Sequence, residues 1–220
     1  MKAWVLNGIG EMEYKNLDMP VPGEGEVLVR VKAAGICGSD VQRVYVDGAH
    51  KMPLIIGHEF AGVVEQSGDP ADASIIGKRV GIFPLIPCKE CPSCLAKRYE
   101  MCDHYSYLGS RQDGGFAEYV VVPKWNLIEL PEKVSYRQAA MLEPMAVAVH
   151  AMRQLKLQED MTVCVCGLGT IGQLLLMFLM EKGISNILVI GNKESQREAV
   201  LSMGLAADNY YDINDDDARG

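Results

Sequence analysis

The chain has 220 residues, 49% of them hydrophobic and 23% charged, an ordinary globular composition with room for one large domain or two small ones. Its formal charge is −8, and a negative surface repels phosphodiester backbones, so nucleic acid is not an expected partner. No apolar run at the N-terminus has signal-peptide length, and the densest one in the chain, Leu174 to Met180, is too short to span a bilayer. A cytoplasmic location without a membrane partner is therefore expected. There, seven cysteines point to metal or thiol chemistry rather than disulfides.

The first part of the chain is punctuated by Gly and Pro and rich in strand formers. Glu26 to Ala33 largely alternates apolar and polar residues, like a half-buried strand, and Phe60 to Gln66 and Ala117 to Val122 read as further strands. Short strands between tight turns suggest a barrel-like antiparallel domain over residues 1–140. From Ser135, a plausible N-cap, to Leu155 the pattern is helical. Thr162 to Cys166 is a short, continuously apolar strand, as expected where both faces of a parallel sheet are covered. An apolar helix from Ile171 to Glu181 follows, ended by Gly183. Then come a strand over Asn186 to Ile190, a helix over Glu194 to Met203 and a third short strand over Asp208 to Tyr211. This βαβαβ order over residues 141–220 is half of a doubly wound nucleotide-binding domain. The second half does not follow, so the sequence is expected to be a partial product.

Cys88, Cys91, Cys94 and Cys102 are spaced C-x2-C-x2-C-x7-C. Two-residue gaps let thiolates converge on one ion without regular secondary structure, and four of them form the closed tetrahedral shell of a structural zinc. An iron–sulfur cluster also uses four cysteines, but Asp103 stands where the bacterial ferredoxin run places proline.

A second constellation is more dispersed. Gly35-Ile36-Cys37-Gly38-Ser39-Asp40 and Gly57-His58-Glu59 together offer a thiolate, an imidazole and a carboxylate. A catalytic zinc takes three protein ligands and keeps one position open, which these residues are able to supply.

These runs, with Pro53 to Gly62, the four-cysteine lobe and the Gly-rich turn discussed next, resemble in order the zinc-containing medium-chain dehydrogenase/reductase family. Asp47 to His50, Pro84 to Cys88 and Leu108 to Tyr119 resemble its polyol branch. The resemblance implies a GroES-like β-barrel catalytic domain followed by a Rossmann sheet, truncated here. It implies two zinc ions per chain: a structural one on Cys88, Cys91, Cys94 and Cys102, and a catalytic one on Cys37, His58 and a carboxylate. Glu143 falls where polyol members place that carboxylate and is expected as the third ligand, with Glu59 exchanging with it or behind it. Ser39 matches the hydroxyl that relays the substrate proton, so Ser39, His58 and Glu59 are the expected catalytic group. The implied activity is NAD(P)-linked oxidation of a secondary alcohol on a small-molecule polyol or polyol phosphate, by a homodimer or homotetramer when full length. The alternatives are a sorbitol/L-iditol-type or threonine-type dehydrogenase, or a non-catalytic zinc-binding fragment whose cofactor cleft never forms.

Gly167-Leu168-Gly169-Thr170-Ile171-Gly172 is G-x-G-x-x-G set between an apolar strand and an apolar helix. In that context the glycines permit the tight turn, the approach of a pyrophosphate and close helix packing, with the helix N-terminus facing the phosphates. An NAD-specific site wants an acid at the end of the second strand, where Gly191-Asn192-Lys193 stand instead, with Arg197 nearby. Lys193 or Arg197 would suit the 2′-phosphate of NADP; the polyol branch implies NAD, held by Asn192 and backbone groups.

Other residues carry blander expectations. Cys164 and Cys166 read as buried small hydrophobes. Arg111 suits a substrate phosphate or an ion pair with Asp113 or Glu118, and His50 and Lys51 are further phosphate candidates. Leu174 to Met180 reads as packing, and Asp215 to Asp217 as a solvated loop.

Overall fold

A computed structural model of the chain describes residues 1–215; Asp216 and Asp217 of the expected acidic loop lie outside the described residues. The chain divides into two compact units, Met1–Glu143 and Pro144–Gly220.

The first unit is antiparallel. Its largest sheet runs β10 (Leu127–Glu129), β6 (Arg79–Ile82), β5 (Glu59–Ser67), β3 (Glu26–Gly35), β9 (Tyr119–Pro123). A three-stranded sheet orders β2 (Glu11–Asn16), β1 (Lys2–Gly8) and β4 (Leu54–Ile55), and β7 (Leu85–Ile86) pairs with β8 (Ser106–Tyr107). The core of the large sheet is aliphatic: Val27, Val29, Val64, Val80, Val120 and Val122 pack around Phe60 and Leu108. In β3 the expected alternation breaks at Val27, Leu28 and Val29, which are all buried. Val27 and Val29 point into the core of the large sheet and Leu28 points to the opposite face, so their common burial means that both faces of β3 are covered there. The short helices α1 (Gly38–Gln42), α2 (Pro92–Leu95) and α3 (Tyr136–Ala140) fill the connections, and Ser135 caps α3 in a reciprocal capping box with Gln138. The unit boundary falls in the first turn of α4 (Leu142–Gln154).

The second unit holds a parallel sheet ordered β11 (Thr162–Cys166), β12 (Asn186–Gly191), β13 (Tyr210–Asp212), connected by α5 (Thr170–Glu181) and α6 (Glu194–Ser202). Val165, Leu168, Leu176, Leu179, Ile187, Val189 and Val200 form its core, so the apolar helix segment is packing, as expected. The third strand begins later than expected, because Ala207–Asn209 forms a 3-10 turn ahead of it. Asp215 is exposed.

Cys164 and Cys166 correct the expectation of burial: both are exposed. Side chains alternate across a strand, so when Val163 and Val165 turn to the helix-covered face, both cysteines turn to the other, with their sulfurs 3.8 Å apart. No described element of the second unit covers that face. Among the described residues no helix is long and apolar enough to cross a membrane.

Candidate functional site

The register of β3 against β5 builds the dispersed constellation. Gly35 pairs with Glu59 at the end of the ladder, so Cys37, two residues past the strand, meets His58 and Glu59 at the start of the next. One ligand atom each from Cys37, His58 and Glu59 lie within 4.8 Å of one another. Gly57 sets the turn into this strand at φ +95, a conformation that disfavours any side chain. The loop after Leu108 lies directly on it: Gly115 N–H donates to the Gly57 carbonyl at 2.8 Å, and Gly109 and Gly114 approach its backbone too closely for a Cβ on either.

Asp40 organises the first ligand loop. It is 1% exposed; its carboxylate accepts the Cys37 backbone N–H at 3.0 Å and the Arg43 guanidinium at 2.9 Å. The same carboxylate stands 3.4 Å from His58 Nδ1, which is buried and has no hydrogen bond. Burial of the imidazole lowers its pKa, but Asp40 and Cys37 outweigh that and hold it at about 9. Burial pushes the Glu59 carboxyl up; His58 opposes the shift, while Glu143 and Asp40 reinforce it. Glu143 is thus close to the site but is not part of the tight group: its Oε1 accepts the Tyr107 hydroxyl at 3.1 Å. Burial and Glu143 raise the Tyr107 phenol well above its usual range. Its ring also meets His58 edge-on, with centroids 5.9 Å apart.

The donor set fits a divalent cation. A thiol, an imidazole and a carboxylate converge, with Asp40 and Glu143 adding negative charge; Asp40 is paired with Arg43 and faces His58. A buried imidazole nitrogen lacks a partner. Such a collection is costly to bury without a cation to neutralise it. Ser39 is exposed on α1 and lines a cleft of about 380 Å³ with Gln42, Arg43, Asp47, Gly48, Ala49 and His50. His50 therefore faces the cleft, whereas Lys51 is exposed and outside its lining. Arg111 makes neither of the expected ion pairs. Its guanidinium stacks over Tyr105 at 4.5 Å, because Asp113 is taken by the Ile55 N–H and Glu118 by the Lys2 N–H.

The four-cysteine lobe forms a second group. Sγ atoms of Cys88, Cys91, Cys94 and Cys102 lie within 4.8 Å of one another, and no disulfide joins them. Sulfurs at about 2.3 Å from a tetrahedral ion stand roughly 3.8 Å apart, and the Cys88–Cys94 separation is 3.9 Å. Backbone N–H groups turn inward to the sulfurs, Cys88 N–H to Cys102 at 3.2 Å and Cys91 N–H to Cys88 at 3.4 Å. N–H groups of Asp103 and Cys94 hold the Cys91 thiol down at about 6. Lys89 and Lys97 take positive φ to make these turns, a strain that ligation is able to repay. This geometry fits zinc thiolates.

The cofactor turn lies in the second unit. Gly167 leaves β11 at φ +93, and its N–H donates to the Ile190 carbonyl at 2.9 Å. A Cβ on Gly172 would strike the Gly167 carbonyl, so only glycine lets α5 pack this close. Gly169 caps α5 without a side-chain bond, leaving the N–H groups of Thr170, Ile171 and Gly172 free for an anion; Gly167, Gly169 and Thr170 are exposed. Asn192 and Lys193 are exposed and Arg197 half-buried around the start of α6. Sequence reasoning missed Asp40 and Tyr107; an acid three residues after a ligand cysteine, in capping-box position, was the one available signal for Asp40.

The profile of the alcohol dehydrogenase GroES-like domain matches residues 23–132, half of the chain. Galactitol 1-phosphate 5-dehydrogenase of Escherichia coli is 36% identical over 205 residues, 93% of this chain and 59% of that protein. Sorbitol dehydrogenase of Bacillus subtilis is 32% identical over 224 residues, 99% of this chain and 63% of that protein. A short chain alcohol dehydrogenase of Escherichia coli, solved with its cofactor NADH, superposes with a TM-score of 0.88 at 33% identity, covering 98% of this chain and 63% of that one. The chain thus spans about three fifths of the length of the curated relatives it matches. With its GroES-like domain and its α/β architecture, the chain belongs to the alcohol dehydrogenase family.

Proposed function

We propose that the protein is a zinc-dependent, NAD(P)-linked dehydrogenase that oxidises a secondary alcohol of a polyol or polyol phosphate to the ketone. The convergence of Cys37, His58 and Glu59, with Ser39 exposed two residues from Cys37, carries this reading. Cys37 and His58 are the fixed ligands, and Glu59, with Glu143 beside it, supplies the carboxylate. A zinc ion held there supplies Lewis-acid chemistry to a substrate hydroxyl. Asp40 steadies the His58 ring through Nδ1 and the Cys37 loop through its backbone N–H. The Ser39 hydroxyl takes the substrate proton and passes it to water in the cleft. The other zinc, on Cys88, Cys91, Cys94 and Cys102, is structural.

Gly167, Gly169 and Gly172, with the free N–H groups of Thr170 and Ile171, would hold the pyrophosphate of the dinucleotide, and Asn192, Lys193 and Arg197 would hold its adenosine ribose. The residues 1–140 form the catalytic domain and 141–220 the first half of the cofactor domain. The protein works in the cytoplasm as a homo-oligomer.

The test is metal analysis together with nicotinamide absorbance on the full-length protein. Two zinc ions per chain and reduction of cofactor with galactitol 1-phosphate support the reading. Equal or better turnover of sorbitol would move the substrate to unphosphorylated polyols, which the sorbitol dehydrogenase relative favours. One zinc and no turnover of any polyol would leave a structural zinc protein.

A further inference from the structure

In doubly wound domains the end of the second strand distinguishes the two forms of the nicotinamide cofactor, and here that place is the end of β12. In a doubly wound domain an acid at this point accepts the ribose 2′-hydroxyl of NAD. Gly191 is the last residue of β12 and is buried. A Cβ placed there would stand 2.7 Å from the Tyr210 hydroxyl, 3.0 Å from its Cε2 and 3.1 Å from Gln196 Oε1. The tips of Tyr210 from β13 and Gln196 from α6 thus stand over this corner and would have to shift to admit an acidic side chain. Both occupants are held: Tyr210 donates to the Lys193 carbonyl at 3.4 Å, and Gln196 Oε1 accepts the Asn192 N–H at 3.2 Å.

The charged groups around this corner are Lys193, Glu194, Arg197 and Asp212. Asp212 pairs with Gly191 across the ladder, but its Oδ1 is occupied by Asn214, through N–H at 2.8 Å and Nδ2 at 2.9 Å. Glu194 pairs with Arg197 at 3.2 Å, with side chains 68% and 42% exposed, an arrangement weak enough to exchange for a better anion. Lys193 caps α6, is exposed and makes no ion pair among the described residues. Arg197 lies one turn on, its N–H donating to the Lys193 carbonyl at 3.2 Å. Two cations with no fixed carboxylate acceptor suit a phosphate, which an Arg fork and a Lys point charge bind strongly.

We infer that Lys193 and Arg197 form a site for the 2′-phosphate of the cofactor, so that the protein prefers NADP to NAD. This rests on the dehydrogenase reading above. The preference turns on three features: Gly191 standing where an acid would accept the 2′-hydroxyl, the unpaired Lys193, and Arg197 released from Glu194.

The test is binding, not turnover. Full-length protein is titrated by calorimetry with 5′-AMP and with 2′,5′-ADP, which differ only in the 2′-phosphate. The expected result is 2′,5′-ADP at least about tenfold tighter, with the advantage falling as salt rises. The double variant Lys193→Ala/Arg197→Ala should bring the two ligands within about twofold of each other, and a circular dichroism spectrum and unfolding midpoint like those of wild type would report that the variant is folded. Lys193→Ala alone should remove about half of the advantage on a logarithmic scale. Equal binding of the two ligands, or tighter 5′-AMP, would overturn the inference and leave the dehydrogenase standing. A preference that survives the double variant would overturn the assignment to these residues. Binding of neither ligand, nor of NADH or NADPH, would sink the dinucleotide reading and this inference with it.

Discussion

The two candidate metal centres of the first unit are built in opposite ways. In the lobe, every ligand falls between Cys88 and Cys102, and the shell is completed by local turns and backbone N–H groups aimed at sulfur. In the other centre, Cys37 and the His58–Glu59 pair come from the ends of two paired strands, and the supports around them are side chains: Asp40, Tyr107 and Glu143. The lobe offers four thiols and leaves no position open, with Cys91, Cys94 and Cys102 buried. The dispersed site offers fewer groups, and Ser39, two residues from Cys37, is exposed. Closed and local suits a staple; open and assembled suits chemistry. The two are nonetheless joined, because β8 leaves the lobe from Cys102 and carries Tyr107 to His58 and Glu143.

That contrast is breakable by substitution. Cys102→Ser should have the largest effect: loss of one zinc and destabilisation of about 5 kcal/mol or more, since an incomplete shell leaves polar turns without their ion. Metal analysis and a denaturant titration would read it, and a variant as stable as wild type would remove the staple from the account. His58→Ala should remove the other zinc alone and lower turnover about 10³-fold, as expected when several kcal/mol of charge stabilisation are lost. If it costs both zinc ions, the centres are not independent and β8 couples them.

Ser39→Ala sharpens the distinction between holding a metal and moving a proton. Turnover should fall about 100-fold with two zinc ions still bound; an unchanged rate would assign the relay to another group. The smallest effect is expected from Asp40→Asn, which keeps the shape but removes the charge behind His58 and beside Arg43. Zinc affinity at the dispersed site should fall about tenfold, with the lobe unaffected, in a competition titration against a chelator. Equal loss at both centres would mean that Asp40 acts through overall stability instead.

How much of this was legible in the sequence follows the same division. The lobe is written in the spacing of four cysteines, and the cofactor turn in three glycines between an apolar strand and an apolar helix. Both depend on contacts within one turn or one loop, so residue order alone specifies them. The parallel strand and helix order of the second unit was legible for a similar reason, since each element carries its own period and its own stop. The exposure of Cys164 and Cys166 was not legible, because an apolar strand reads the same whether one face is covered or two.

The sequence by itself therefore determined the family, the fold class and the groups of residues able to bind metal and cofactor. Only the tertiary structure brought Glu59 into the tight group with Cys37 and His58 and set Glu143 against the Tyr107 hydroxyl. It likewise revealed Asp40 behind His58, and Tyr210 and Gln196 filling the corner at Gly191. Each of these depends on strand register or on side chains distant in the chain, where a shift of one residue moves a group to the opposite face. Spacing names the atoms that are available; packing decides which of them meet.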